Sequence, residues 1–465
     1  MNQTTRLRPP AVSGLFYPAD AATLAAQIDA MLAEAARLRP GLAALAAPKA
    51  LIVPHAGYIY SGPVAAAGYA RLAAHARQYR RVVLLGPAHR HGFRGLALPQ
   101  ATAFATPLGD VPLDTAAMAQ IAGLPGVSVL PEAHADEHAL EVQLPFLQRL
   151  LSDVTLVPLV VGMASPGQVA AVLQALWGGP ETLIVISSDL SHFHAYADAQ
   201  AFDRATAAAI ERADVDTVAN AGNTEGACGR HAIAGLLAAS AGDALAAMRF
   251  DLRTSGDTAG PRDRVVGYGA WDFTAGGMAQ LTEAERDHLI AIARHAIATA
   301  LGLAAQTLLV PVPAALQTWR PCFVSLYGSD GDLRGCIGSL AAERPLAEEA
   351  ARIAADAAFR DPRFAPLSAA EFARLRLEIS VLTPLLPLPA ASRAELLAAL
   401  VPGRDGLLLR AGRHHATFLP QVWDKLPAPE DFLDALLHKG SFPAGPWPAG
   451  LQAWRYRVEE IAEAA

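Results

Sequence analysis

Two kinds of apolar pattern alternate along the first half of the chain. Leu51-Ile52-Val53, Val82-Val83-Leu84-Leu85 and Leu183-Ile184-Val185-Ile186 are continuous runs of strand length, and Val154 to Val161 is a fourth. Such runs suit strands buried on both faces. Between them apolar residues recur at helical spacing. Asp20 is placed as an N-cap, and Leu24, Ile28 and Leu32 then predict an amphipathic helix to about Leu38. Residues 61–76 read as a second helix, opened by Ser61 and Gly62-Pro63. Leu140, Leu144, Leu147 and Leu151 mark a third, Ala197 to Ala213 a fourth, and Cys228-Gly229-Arg230-His231 heads a fifth. Residues 95–115 read as irregular strands and turns, and Val265 to Phe273 as an aromatic strand. Strand, helix, strand at this spacing predicts an α/β fold with a mainly parallel sheet.

The pattern restarts after Ala275-Gly276-Gly277, which predicts two domains, 1–275 and 280–465. Thr282 to Glu285 forms a capping box ahead of a helix carrying Leu289, Ile292, Ala296 and Leu301. Gly328-Ser329-Asp330-Gly331-Asp332 joins two strands as a hairpin, and Ala411-Gly412-Arg413 joins two more. Leu375, Leu377, Ile379 and Val381 alternate as a half-buried strand, and Pro345 opens a helix. This smaller second half reads as α+β.

Length agrees with two domains, since 465 residues exceed what one core usually supports. A formal charge of −7 gives no electrostatic reason to expect nucleic acid or an anionic membrane as partner. Met1 to Pro10 lacks the apolar core of a secretory signal, and no uninterrupted apolar run approaches membrane-spanning length. Three scattered cysteines, Cys228, Cys322 and Cys336, make no disulfide framework. The expectation is a reduced, cytoplasmic protein with thiols free to act as ligands or nucleophiles.

The chemistry gathers just past the strands. Pro54 and His55 follow the first run, Pro87-Ala88-His89 the second, and Ser187-Ser188-Asp189-Leu190-Ser191-His192 the third. Ligands of open α/β sheets bind beyond the carboxyl ends of strands, so three histidines delivered there suggest a metal or acid–base site. His192 suits a general acid or base, with Asp189 to orient it or a substrate. Glu141, one turn beyond His138, would share its face and back the site, unless both merely decorate a helix N-terminus. His91 and His194 read as polar loop residues.

His55-Ala56-Gly57-Tyr58, Gly86-Pro87-Ala88-His89, Glu137-His138-Ala139-Leu140-Glu141, the Ser187–His192 stretch and Cys228-Gly229-Arg230-His231 occur in the order seen in the Memo family. The resemblance covers nearly all of residues 6–273. It implies a fold similar to class III extradiol dioxygenases and a metal site of two histidines and a cysteine. Carried across, those ligands are His55, His89 and Cys228, with Tyr58 and His138 placed beside substrate or behind the ligands. Two imidazoles and one anion is an arrangement that holds iron(II), while a thiolate shifts preference toward copper(I) or zinc.

The second half resembles another family. Leu333-Arg334-Gly335-Cys336-Ile337-Gly338, Asp361-Pro362-Arg363-Phe364, Glu378-Ile379-Ser380-Val381-Leu382, Gly403-Arg404-Asp405-Gly406 and Leu419-Pro420-Gln421-Val422 are similar to the AMMECR family over about 281–461. His438-Lys439-Gly440-Ser441 departs from its pattern. Arg334 and Cys336 share a strand face, so the guanidinium would activate the thiol as a nucleophile, or the motif serves close backbone packing. Arg363 and Arg404 read as structural ion pairs. Together the two resemblances imply the AmmeMemoRadiSam system, with a radical-SAM protein as partner carrying any iron–sulfur cluster. Three functions follow: an iron- or copper-dependent oxidoreductase acting on a small organic or peptidic substrate, a non-catalytic metal chaperone or adaptor, and a zinc hydrolase.

Overall fold

A computed structural model describes residues 6–39, 45–240, 245–275, 280–303, 312–443 and 446–463. The chain divides into two compact units, Met1–Gly276 and Gly277–Ala465. Gly276 and Gly277 of the expected boundary lie outside the described residues.

The first unit is built on a nine-stranded sheet. In chain order its strands are β1 (Ala50–Val53), β2 (Arg81–Pro87), β3 (Leu96–Leu98), β4 (Val127–Val129), β5 (Thr155–Val161), β6 (Thr182–Ser187), β7 (His192–His194), β8 (Leu245–Thr254) and β9 (Val265–Ala275). They lie side by side as β7-β9-β1-β6-β2-β5-β3-β4, with β8 also pairing β9. The four central strands, β1, β6, β2 and β5, are parallel. They are the continuous apolar runs, and nearly every residue in them is buried. The flanks depart from the parallel expectation. β9 runs antiparallel to β1, and β7 and β8 pair antiparallel with β9. On the other side β3 is antiparallel to β5. The long β8 opens with four buried apolar or small residues, Leu245 to Met248, and alternates polar and apolar only from Arg249, which conceals its start among apolar helical sequence.

Helices α1 (Ala21–Leu38), α2 (Tyr58–Tyr69), α3 (His138–Glu141), α4 (Leu144–Leu150), α5 (Pro166–Leu176), α6 (Tyr196–Glu211) and α7 (Arg230–Ser240) cover the sheet. Asp20 caps α1 by accepting from Thr23 N, as its sequence predicts. The helix expected over 61–76 instead starts at Tyr58 and tightens to a 3₁₀ form over Ala70–Gln78. Gly57 serves as its N-cap, and the Ser61 hydroxyl is engaged by the Ala56 carbonyl inside the first turn. The leucine-marked helix is likewise divided into α3 and α4, because Pro145 restarts the ladder at the head of α4.

The second unit holds two four-stranded antiparallel sheets. The first contains the hairpin β10 (Cys322–Tyr327) and β11 (Leu333–Gly338), with β12 (Arg376–Leu382) beside β10. Helices α8 (Glu283–Ala300) and α9 (Leu346–Phe359) supply its core through Leu289, Ala293, Ile297, Ala350 and Ile353. No described helix is long and apolar enough to cross a membrane.

A candidate metal centre at the strand ends

Because β1, β6 and β2 are adjacent and parallel, their carboxyl ends open at one edge of the sheet. His55 lies two residues beyond β1 and His89 two beyond β2. Cys228 arrives from the loop ahead of α7. One ligand atom from each of His55, His89 and Cys228 falls within 4.8 Å of the others. The His55 Nε2 is 3.4 Å from the Cys228 Sγ, and the two imidazole centroids are 5.1 Å apart.

Partners behind each ring set its tautomer. The Ser187 hydroxyl has one proton, which it donates to the Ala139 carbonyl at 2.6 Å, and it accepts from Gln143 Nε2 at 2.8 Å. The contact of 2.9 Å between His55 Nδ1 and Ser187 Oγ therefore has Nδ1–H as donor. His55 Nε2 is left facing the sulfur. His89 is held the same way by Glu137: Oε1 accepts from Nδ1 at 2.9 Å, and Oε2 from the His89 main-chain N–H at 2.6 Å. Glu137 also accepts from Ala139 N. Burial opposes its ionisation, yet these donors hold it at about 2, an ionised carboxylate. An imidazole whose outer nitrogen is fixed by a carboxylate or hydroxyl is the usual support for a metal ligand.

The sulfur is prepared in a matching way. Burial pushes the Cys228 thiol up, but His55 and then His89 bring it down to about 6. Burial pulls His89 down, but Cys228 and Glu137 raise it to about 10. Without a metal, the proton is shared between an imidazole and a thiolate. A metal ion bound here would take the place of that proton and be held by the His55 and His89 nitrogens and the Cys228 sulfur. Gly229 makes the approach possible. A Cβ there would lie 2.7 Å from Ser188 Cβ and 3.0 Å from the Ser187 carbonyl oxygen. Its N–H donates to Ser188 Oγ, and Cys228 N to the Asp189 carbonyl, fastening the cysteine loop to the end of β6.

His138 stacks on His89, with centroids 4.6 Å apart, and is 5.5 Å from His55. Burial, then the neighbouring His55, lower it to about 3, so it stays a neutral ring in the wall. Asp189 is buried and its Oδ1 accepts from the His55 N–H at 2.8 Å, which positions the ligand backbone. His192 is lowered chiefly by burial, against the pull of Asp189 and of a hydrogen bond with the Leu190 backbone.

Two residues expected at the site stand elsewhere. Glu141 is fully buried and its two oxygens accept from Arg8 Nη1, the Ala11 and Val12 amides, and the Tyr17 hydroxyl. It fastens the N-terminal segment, which covers that side of α3, and has no capacity left for the site. Tyr58 is also core: its hydroxyl donates to the Val142 carbonyl, and its ring packs on Tyr17 and Phe146. Ser187, Gln143 and Glu137 were not singled out from the sequence. His91 is an exposed loop residue as expected, whereas His194 ends strand β7 and bonds the Thr224 carbonyl.

In the second unit Arg334 does not serve the Cys336 thiol. Its guanidinium is taken by Glu371 Oε1 and the Ala365 carbonyl, each at 2.8 Å. The Cys336 sulfur accepts instead from the Ser325 hydroxyl at 3.3 Å. The Cys336 main chain is braced by Asp361 and Arg363, which also pair with each other. Arg404 pairs with Asp405.

Residues 8–271 match the family model described as Memo-like protein, and residues 290–461 match that described as AMMECR1. Among curated relatives, a MEMO1 family protein of Ignicoccus hospitalis is 35% identical over 285 residues, covering 57% of this chain and 98% of the relative. One of Aquifex aeolicus is 34% identical over 271 residues, covering 57% and 97%. A solved structure, that of the uncharacterized protein PH0010 from Pyrococcus horikoshii, is 29% identical and covers 39% of this chain and 93% of that one, with a TM-score of 0.36.

Proposed function

Since the chain belongs to the Memo-like family and carries an AMMECR1 domain behind it, we propose that its first unit is a metal-dependent oxidoreductase acting on a small organic or peptidic substrate. The observation that carries this reading is the convergence of His55, His89 and Cys228, with both outer nitrogens tied back by Ser187 and Glu137. Iron or copper, held by His55, His89 and Cys228, would supply one-electron redox capacity there. The chain's own residues do the rest. Glu137 and Ser187 keep each imidazole facing inward, and Asp189 fixes the turn that carries His55. His192, lowered chiefly by burial, is assigned the role of acid–base group for the substrate. Beyond His89 and Cys228 a cleft of ≈ 530 Å³ gives the substrate room.

A second reading, a metal chaperone without turnover, is favoured by the cysteine, because a thiolate prefers copper(I) and is itself open to oxidation. A radical-SAM protein is the proposed partner of either. Anaerobic purification with metal analysis, on wild type and His55→Ala, tests the centre. Iron or copper lost in the variant supports it, and tightly bound zinc favours a hydrolase instead. Oxygen consumption that requires His192 supports the enzyme; stoichiometric metal uptake without it supports the chaperone.

A further inference from the structure

The cleft beside the metal centre has a chemical character of its own. Its lining runs from His89 and Cys228 at the inner end to Arg94, Arg230 and Asn223. Two loops form its apolar side: Phe93 and Arg94 lie against Gly162 and Met163, joined by the hydrogen bond from Met163 N to the Phe93 carbonyl. Gly162 allows this closeness, since a Cβ would come within 2.4 Å of the Phe93 carbonyl oxygen. Met163 is 68% exposed, a large apolar side chain presented to solvent next to half-buried Phe93. Val161 and Pro87 extend that wall.

The polar groups of the cleft are one-sided. No carboxylate among the described residues lines it. Among the described residues Arg94 has no ion-pair or hydrogen-bond partner. Arg230 is held by the neutral Asn223 Oδ1 at 2.6 Å, which aims its guanidinium without neutralising it. The buried arginines of this unit, Arg8, Arg71 and Arg249, each have an acidic partner. Two guanidiniums without counter-ions, lining the same cleft as an apolar wall, fit a ligand that brings its own negative charge on an apolar body.

We infer that the substrate of this centre is a small anionic molecule with an apolar or aromatic body, its acid group held by Arg94 and Arg230 and its body laid along Phe93 and Met163 toward His89 and Cys228. The inference deepens the metal-centre reading and rests on it only for which end of the ligand reacts. Carboxylate is the head group chosen, as the simplest planar acceptor for a guanidinium pair; a phosphate has the same chemistry and is distinguished by the test.

Calorimetric titration of the full chain, metal-free and loaded anaerobically with copper(I), uses phenylacetate, phenyl phosphate and 2-phenylethanol as probes. The expected result is binding of an acid but not of the neutral alcohol, with Arg94→Gln and Arg230→Gln each weakening it about tenfold, the worth of one charge-assisted contact. Tighter arginine-dependent binding of phenyl phosphate supports the anionic class and moves the head group to phosphate. Equal binding of the alcohol, insensitivity to both substitutions, or no acid bound by a folded chain overturns the inference. Metal content of the same samples separates the two ideas. Arginine-dependent binding in a chain that takes no metal removes the centre and leaves the anion site, while metal taken up without acid binding does the reverse.

Discussion

Replacing Glu137 by Gln is a sharp probe of how the centre is held, because it removes a charge and almost no volume. Three donors converge on this carboxylate: His89 Nδ1 at 2.9 Å, His89 N at 2.6 Å and Ala139 N at 2.9 Å. An amide has only one acceptor oxygen. If that oxygen faces Nδ1, the amide nitrogen meets the His89 main-chain N–H and leaves it without an acceptor. If the amide turns over, it meets Nδ1–H and Ala139 N–H together, and the ring relieves the conflict only by moving its proton to Nε2. That proton then blocks the nitrogen meant for the metal. The milder orientation strands one buried donor, at about 1–3 kcal/mol of folding stability. Loss of the carboxylate behind a histidine ligand lowers metal affinity by about 10–100-fold. Competition with a copper(I) chelator at neutral pH, alongside thermal unfolding of the same full-length samples, reads both effects. A variant that binds copper as tightly as wild type would show that Glu137 is not what orients His89.

Other outcomes follow from neighbouring geometry. Glu141→Ala strands four donors at a buried ion pair and should cost about 3–5 kcal/mol in unfolding experiments, with metal affinity per folded molecule unchanged; an affinity loss on the scale of Glu137→Gln would return Glu141 to the site. Gly229→Ala should displace the cysteine loop and weaken metal binding while His55 and His89 stay in place, so chelator competition falls without loss of the folded fraction. His134 is buried, donates from Nε2 to the Ala97 carbonyl, and is lowered to about 4, chiefly by burial. Its folded pKa lies below the unfolded one of about 6.5, so the unfolded chain binds more protons between those values and stability falls with pH across that window. The loss should reach about 3 kcal/mol by pH 4, and a His134→Gln chain should have a flatter profile over the same range.

Much of this architecture could be read from the chain because its strands are buried on both faces, where apolar runs are continuous. Pro54 ends the first run and Pro87 the second, so His55 and His89 were placed at the strand ends by position alone. Cys228 was different: it stands 139 residues past His89, and only the resemblance joined it to the pair. Local periodicity failed where a distant segment decides. Glu141 shares a turn with His138, but residues 8–17 fold across it and claim every lone pair. Tyr58 stands three residues from His55, yet the start of α2 turns it into the core. Ser187 and Glu137 have no periodic signature, since what marks them is the count of donors meeting one oxygen. Arg334 and Cys336 share a strand, but Glu371, 37 positions on, takes the guanidinium.

X-ray absorption at the metal edge, on anaerobically loaded full-length protein and its Cys228→Ser variant, bears most directly on the centre. The account predicts a spectrum with sulfur and imidazole nitrogen neighbours in the wild type, and loss of the sulfur alone in the variant. A wild-type spectrum without sulfur, or a sulfur shell that survives the substitution, would contradict it.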